Sequence, residues 1–142
     1  MIKIAFVCVG NAGRSQMATA FAEQLQSQRQ LEDRVSIVTG GIDPHDHVHE
    51  DVITVLDEVG VDIADRKPRE VTEDDVADAE YVVTMGCLID EFAPDDWDGT
   101  TETWELDHPG GDNLDAVRSQ RDEIQQRVED FFDRIELSDT QQ

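Results

Sequence analysis

Apolar positions along this chain alternate between short continuous runs and helical spacing. Residues 2–7 (Ile-Lys-Ile-Ala-Phe-Val) form a run that predicts a buried strand. From Ser15 to about Gln28, Met17, Phe21 and Leu25 recur on one face with Ala18 and Ala22 beside them, which predicts a helix. Arg34–Thr39, carrying Val35 and Ile37, reads as a second strand that stops at Gly40-Gly41. Val48, Val52, Val55, Leu56 and Val59 predict a helix over 48–59, with Gly60 as its stop. Residues 66–70 contain Lys67-Pro68 and read as a loop, and Thr72-Glu73-Asp74-Asp75 as the capped start of a short helix through Ala79. Tyr81–Met85 reads as a third strand and Thr103–Leu106 as a fourth, followed by the loop Asp107-His108-Pro109-Gly110-Gly111. Leu114–Ile135 is the longest helix, with Leu114, Val117, Arg121, Ile124, Val128, Phe131 and Ile135 on its seam. Arg121 is expected to snorkel from that seam, and Ser138–Gln142 to fray.

Strands that alternate with helices imply parallel pairing, right-handed crossovers and helices on both faces of the sheet. The fold class is therefore α/β: a single three-layer domain over residues 1–142, built on a four-stranded parallel sheet. Ligands of such sheets sit beyond the carboxyl ends of the strands. Cys8, Cys87 and the Asp107–Gly111 loop each follow a strand directly, so they are expected to share one rim.

Composition narrows the partners. Against 34 Asp and Glu stand 11 Lys and Arg, a formal net charge of −23, and the acidic residues run along the whole chain. A uniform acidic coat with few lysines fits operation in high salt, where repulsion is screened. No basic stripe exists to meet phosphates, which excludes nucleic acid, and no segment has the length of a membrane span. Met1 runs straight into the first strand without a leader, so a cytoplasmic protein is expected. Cys8 and Cys87 are the two cysteines, far apart in sequence, and in a reducing compartment read as reactive thiols rather than a disulfide framework.

The chemistry concentrates in Cys8-Val9-Gly10-Asn11-Ala12-Gly13-Arg14-Ser15, a C-x5-R-S loop between a strand and a helix. The N–H groups of Val9, Gly10, Asn11, Ala12 and Gly13, with those of the first helical turn at Arg14 and Ser15, can converge on one anion. That field favours Cys8 as a thiolate. Arg14 offers a planar fork matched to the oxygens of a tetrahedral oxyanion, and Ser15 a hydroxyl for the Cys8 sulfur. A lone cysteine at a strand end is commonly a small buried hydrophobe. That reading leaves Gly10, Asn11, Gly13, Arg14 and Ser15 unexplained at their spacings. His45, His47 and His49 beside Asp43, Asp46 and Glu50 invite a metal, but a solvated loop suits them better, and neither a metal nor a cofactor is expected. No Walker or dinucleotide motif is present.

Over nearly its whole length the chain resembles the low-molecular-weight protein tyrosine phosphatase family, and more closely its arsenate reductase branch. The residues that carry the likeness are Cys8–Ala18, Gly60-Val61-Asp62-Ile63, Tyr81–Cys87, Trp104-Glu105-Leu106 and the helix around Val117-Arg118 and Arg121–Ile124. The phosphatases usually read Arg-Ser-Pro after the loop, whereas Arg14-Ser15-Gln16-Met17-Ala18 resembles the reductase version. The resemblance makes Cys8 the nucleophile, Arg14 the oxyanion clamp, Ser15 the thiolate stabiliser and Asn11 the keeper of the loop's shape. It makes Cys87, in Thr84-Met85-Gly86-Cys87, the second redox thiol. Leu88-Ile89-Asp90-Glu91 stands where many relatives carry a third cysteine, which rules out a three-cysteine relay. The family's general acid precedes a proline. Here His108 precedes Pro109 with Asp107 one place earlier, and alignment on the proline favours His108.

Arsenate reduction is the leading reading, with an arsenate or phosphate oxyanion as ligand and thioredoxin, a glutaredoxin-like protein or a small thiol as reductant. The alternative is phosphotyrosine hydrolysis on the same cradle through a phospho-cysteine. That site needs aromatic or apolar walls, for which only Trp97 and Trp104 are at hand, and Trp104 reads as core. A non-catalytic oxyanion-binding module is a third class, but binding alone needs no thiolate.

Overall fold

A computed structural model describes residues 2–86, 92–106 and 113–140, with side chains as far as Ile135. The elements run β1 (Ile2–Cys8), α1 (Arg14–Gln28), β2 (Val35–Gly41), α2 (Glu50–Asp57), α3 (Glu73–Ala77), β3 (Tyr81–Met85), β4 (Thr100–Thr103) and α4 (Leu114–Thr140). The four strands form one sheet in the order β2-β1-β3-β4, and every pairing is parallel. Register sets Cys8 opposite Gly41 on one side and Met85 on the other. The carboxyl ends of β2, β1 and β3 therefore lie in one row, with Cys8 at its centre.

Alternation along the strands sorts the core into two layers. Ile4, Phe6, Cys8, Val83 and Met85 join the cluster built from α1, α2 and α4. Ala5, Val7 and Val82 point the other way, onto Val76 of α3 and onto Val71, Ala79 and Phe92. Phe131 of α4 anchors the larger layer with edge-on contacts to Phe6, Tyr81, Trp104 and Phe132. Arg14–Ala22 of α1 is buried throughout, which its small residues allow, because Ala18, Ala20 and Ala22 let neighbouring backbone come close. α3 is held by a capping box in which Thr72 and Asp75 each accept the other's backbone N–H.

Several boundaries differ from the sequence reading. β4 is Thr100–Thr103 rather than Thr103–Leu106. It is an exposed edge strand without an apolar run, and Trp104 only continues the pairing through its N–H to the Thr84 carbonyl at 2.9 Å. α2 begins at Glu50, not Val48; Val48 is buried just before the His49 cap, an apolar anchor outside the helix. β2 runs on through Gly40 and Gly41, and Glu70 of the expected loop bridges to Gly41. α4 continues through Thr140, where a frayed tail was expected from Ser138.

Candidate active site

Cys8 closes β1 and is buried, and the chain then turns through residues 9–13 into α1. Its Sγ lies 2.8 Å from Ser15 Oγ and accepts the Asn11 backbone N–H at 3.2 Å. Asn11 adopts a left-handed backbone, φ +51°, a conformation that asparagine tolerates better than most residues. This turn aims its N–H at the sulfur and sends its side chain into the interior, where it is fully buried.

A buried network surrounds the sulfur. Asn11 Nδ2 donates to Ser15 Oγ at 2.7 Å and to Thr39 Oγ1 at 2.9 Å, and Thr39 passes its hydrogen to the Phe6 carbonyl at 2.8 Å. Ser15 Oγ thus accepts from Asn11 and shares a hydrogen bond with Cys8 Sγ in which either atom can donate. Asn11 Oδ1 accepts from the Arg69 backbone N–H at 3.0 Å and from Gln16 Nε2 at 3.2 Å. The Ser15 hydroxyl and the Asn11 N–H thus both lie against the Cys8 sulfur.

Gly13 is the N-cap of α1 and brings no side chain to cap it, which leaves first-turn N–H groups open to an anion. Arg14 lies beside them, largely buried, and donates to the Leu106 carbonyl at 3.2 Å. Gly86, with φ +85°, makes room for it: a methyl there would lie 2.8 Å from one terminal guanidinium nitrogen. Cys8, Val9, Gly10, Ala12, Gly13 and Arg14 line a cavity of about 180 Å³, with His45 and His49 on its remaining side.

The structure thus brings together Cys8, Arg14, Ser15, Asn11 and the loop residues. Cys87, Asp107 and His108 lie outside the described residues. The described residues that precede them in sequence, Gly86 and Leu106, both meet Arg14. Neither tryptophan lines the cavity. Trp104 is buried against Phe6 and Phe131, and Trp97 donates to the Ala79 carbonyl at the amino end of β3. Among the described residues no cluster of three metal-ligating side chains occurs, and no helix is long and apolar enough to cross a membrane.

Sequence reasoning missed Thr39, Gln16 and Arg69 as supports of Asn11, and His45 and His49 as lining. Thr39 and Arg69 act across the fold, on partners 28 and 58 residues away. His45 and His49 were assigned to a solvated loop. Their chain segment in fact docks on the Cys8 loop, although the His45 ring stays exposed.

The comparisons agree with this geometry. The chain is 49% identical over 137 residues to the "Putative arsenate reductase" of Halobacterium salinarum, covering 96% of this chain and 95% of that protein. It is 30% identical to the glutaredoxin arsenate reductase of Synechocystis, over 95% of this chain and 99% of that one. Among solved structures, an arsenate reductase in a phosphate-binding state superposes with a TM-score of 0.78 at 31% identity, covering 95% of this chain and 99% of the other. The thioredoxin-dependent arsenate reductase of Corynebacterium glutamicum gives a TM-score of 0.78 at 31% identity, and the match covers 97% of this chain but 63% of that longer one. Residues 3–141 match the low molecular weight phosphotyrosine protein phosphatase family, and with a cysteine cradle of this design at the carboxyl edge of a β2-β1-β3-β4 sheet the chain belongs to that family.

Proposed function

We propose that the protein is an arsenate reductase that uses Cys8 as nucleophile and draws its electrons from thiols. The observation that carries this reading is the Cys8 sulfur, held by Ser15 and the Asn11 N–H, in a cavity of about 180 Å³ that no phenylalanine, tyrosine or tryptophan among the described residues lines. Such a pocket suits a small tetrahedral oxyanion. The similarity to arsenate reductases supports the same choice.

Loop N–H groups and Arg14 hold the arsenate oxygens while Cys8 Sγ attacks arsenic. One oxygen takes up protons and leaves as water, and an S–As(V) bond remains. A second thiolate then attacks Cys8 Sγ. The S–As bond breaks with its electron pair staying on arsenic, arsenite departs as As(III), and the two sulfurs are joined in a disulfide. We assign the second thiol to Cys87, and the proton donor to His108 or Asp107. The disulfide is then reopened by an external thiol of the thioredoxin, glutaredoxin-like or small-molecule class, in line with the names of two of the relatives. Scattered acidic residues and a relative from Halobacterium salinarum support work in a salty cytoplasm.

Phosphotyrosine hydrolysis would keep the cradle and put water in place of the second thiol. Among the described residues neither tryptophan supplies a ring-holding wall, since Trp97 and Trp104 are engaged elsewhere. The test compares wild type, Cys8→Ser and Cys87→Ser in high salt for arsenate-dependent thiol oxidation and for aryl phosphate hydrolysis. Cys8→Ser should abolish both. Cys87→Ser should cut arsenate-dependent oxidation by about a hundredfold or more. If Cys87→Ser loses neither activity, the internal relay is wrong. If arsenate never drives oxidation, whichever thiol reductant is supplied, phosphatase is the better name.

A further inference from the structure

The connection between β2 and α2 is stitched to the catalytic loop by backbone alone. Asp43, His45 and His49 donate their N–H groups to the carbonyls of Val9, Gly10 and Ala12, each at 2.9 Å. These bonds hold the segment against the loop, and both His45 and His49 line the cavity. The His45 ring lies directly above Gly10: a methyl at residue 10 would sit 2.7 Å from its Cδ2 and 2.8 Å from its Nε2. The His49 ring meets it edge-on, with centroids 5.3 Å apart and planes at 81°.

From this arrangement we infer that His45 and His49 form a selectivity wall, which admits an inorganic tetrahedral oxyanion to Cys8 and turns away aryl phosphate monoesters. The inference rests on the arsenate-reductase reading above, and names what makes the pocket inorganic. A cavity of about 180 Å³ falls below the ~300 Å³ at which pockets for drug-sized ligands begin. The two rings line the cavity beside the Cys8 loop and take up room that an ester's aryl group would need there. The His45 imidazole also brings polar ring nitrogens to the cavity, which an apolar side chain there would not. Gly10 is the residue that lets His45 come this close.

The test is protection of Cys8 from iodoacetamide, read by mass spectrometry of the Cys8 peptide, with arsenate or phenyl phosphate as protectant. Wild type should be protected by arsenate at a concentration about tenfold or more below that of phenyl phosphate. In the His45→Ala/His49→Ala double variant that ratio should fall by about tenfold, with phenyl phosphate gaining and arsenate losing. A ratio that stays within about twofold of wild type overturns the wall. If the double variant does not fold by circular dichroism, the single variants His45→Asn and His49→Asn are read by the same ratio and decide. Failure of the reductase reading looks different: arsenate would still protect Cys8 selectively, yet oxidise no thiol.

Discussion

Two buried arginines of this molecule illustrate what makes a guanidinium available for chemistry. Arg14 and Arg121 are equally buried, each about nine-tenths covered. Arg121 sits between α4 and α2, where it donates to the Val55 carbonyl at 2.9 Å, to Glu58 at 3.0 Å and to Asp122 at 2.9 Å. Val55 lies in the last turn of α2, where Arg121 gives its carbonyl a donor, so Arg121 closes a helix end and pairs its charge as well. Arg14 donates to one backbone carbonyl, that of Leu106, and no ion pair among the described residues includes it. In a chain of net charge −23, a buried arginine with no carboxylate partner among the described residues is the one we propose for the anion. Burial is common to both, and partnership separates structure from function.

The largest expected effect breaks the functional side of this contrast. Arg14→Lys keeps the charge and loses the fork, and should lower kcat/KM for arsenate reduction by about 10²–10³. Its effect on stability should stay below about 1 kcal/mol, because among the described residues the bond to Leu106 is what is given up. Steady-state kinetics beside thermal melting separates the two. A folded Lys variant with wild-type kcat/KM would remove Arg14 from the chemistry.

How far this contrast was legible in the sequence depends on where the partners lie. Arg14 could be assigned because its signal is local: Cys8, Gly10, Gly13 and Ser15 stand within one loop, next to an unbroken apolar strand. Arg121 was readable only as an odd residue on an apolar seam, since its partners Val55 and Glu58 are more than 60 residues away. His45 and His49 escaped for a related reason: backbone bonds dock their segment, and such bonds leave no trace in side-chain pattern. The sheet and the longer helices followed from periodicity. β4 was misplaced because Thr100–Thr103 is an edge strand without apolar alternation, while Trp104 and Leu106 just beyond it mimic one.

The structural side is broken by Arg121→Met, which keeps the apolar stem and deletes the donors. The Val55 carbonyl loses its partner, at a cost of about 1–2 kcal/mol. For a chain of this size that lowers the melting temperature by about 3–8 °C. Arsenate reduction by the folded variant should be unchanged, and a loss of activity at temperatures well below melting would show that the α2–α4 corner is coupled to the site.

Arg69 stands between the two cases and sharpens the comparison. Its backbone N–H supports Asn11, while its guanidinium donates to the Thr39 carbonyl at 2.6 Å and pairs with Asp75 at 3.1 Å. Burial pushes the Asp75 carboxyl up, but the Thr72 hydrogen bonds and the Arg69 guanidinium outweigh it and hold Asp75 below its ordinary range. A carboxylate depressed in the folded state contributes stability above its unfolded value, near about pH 4, and loses it as pH falls through the folded value. Asp75→Asn should therefore lower stability by about 0.5–1 kcal/mol at neutral pH, as a weakened cap and a partly exposed ion pair would. The gap to wild type should narrow below about pH 4 and close under the folded value. Melting curves between about pH 7 and about pH 2.5 follow that convergence. A gap that stays constant across the range would mean the Asp75 charge adds nothing, and that Arg69 holds Asn11 through its backbone and its Thr39 contact alone.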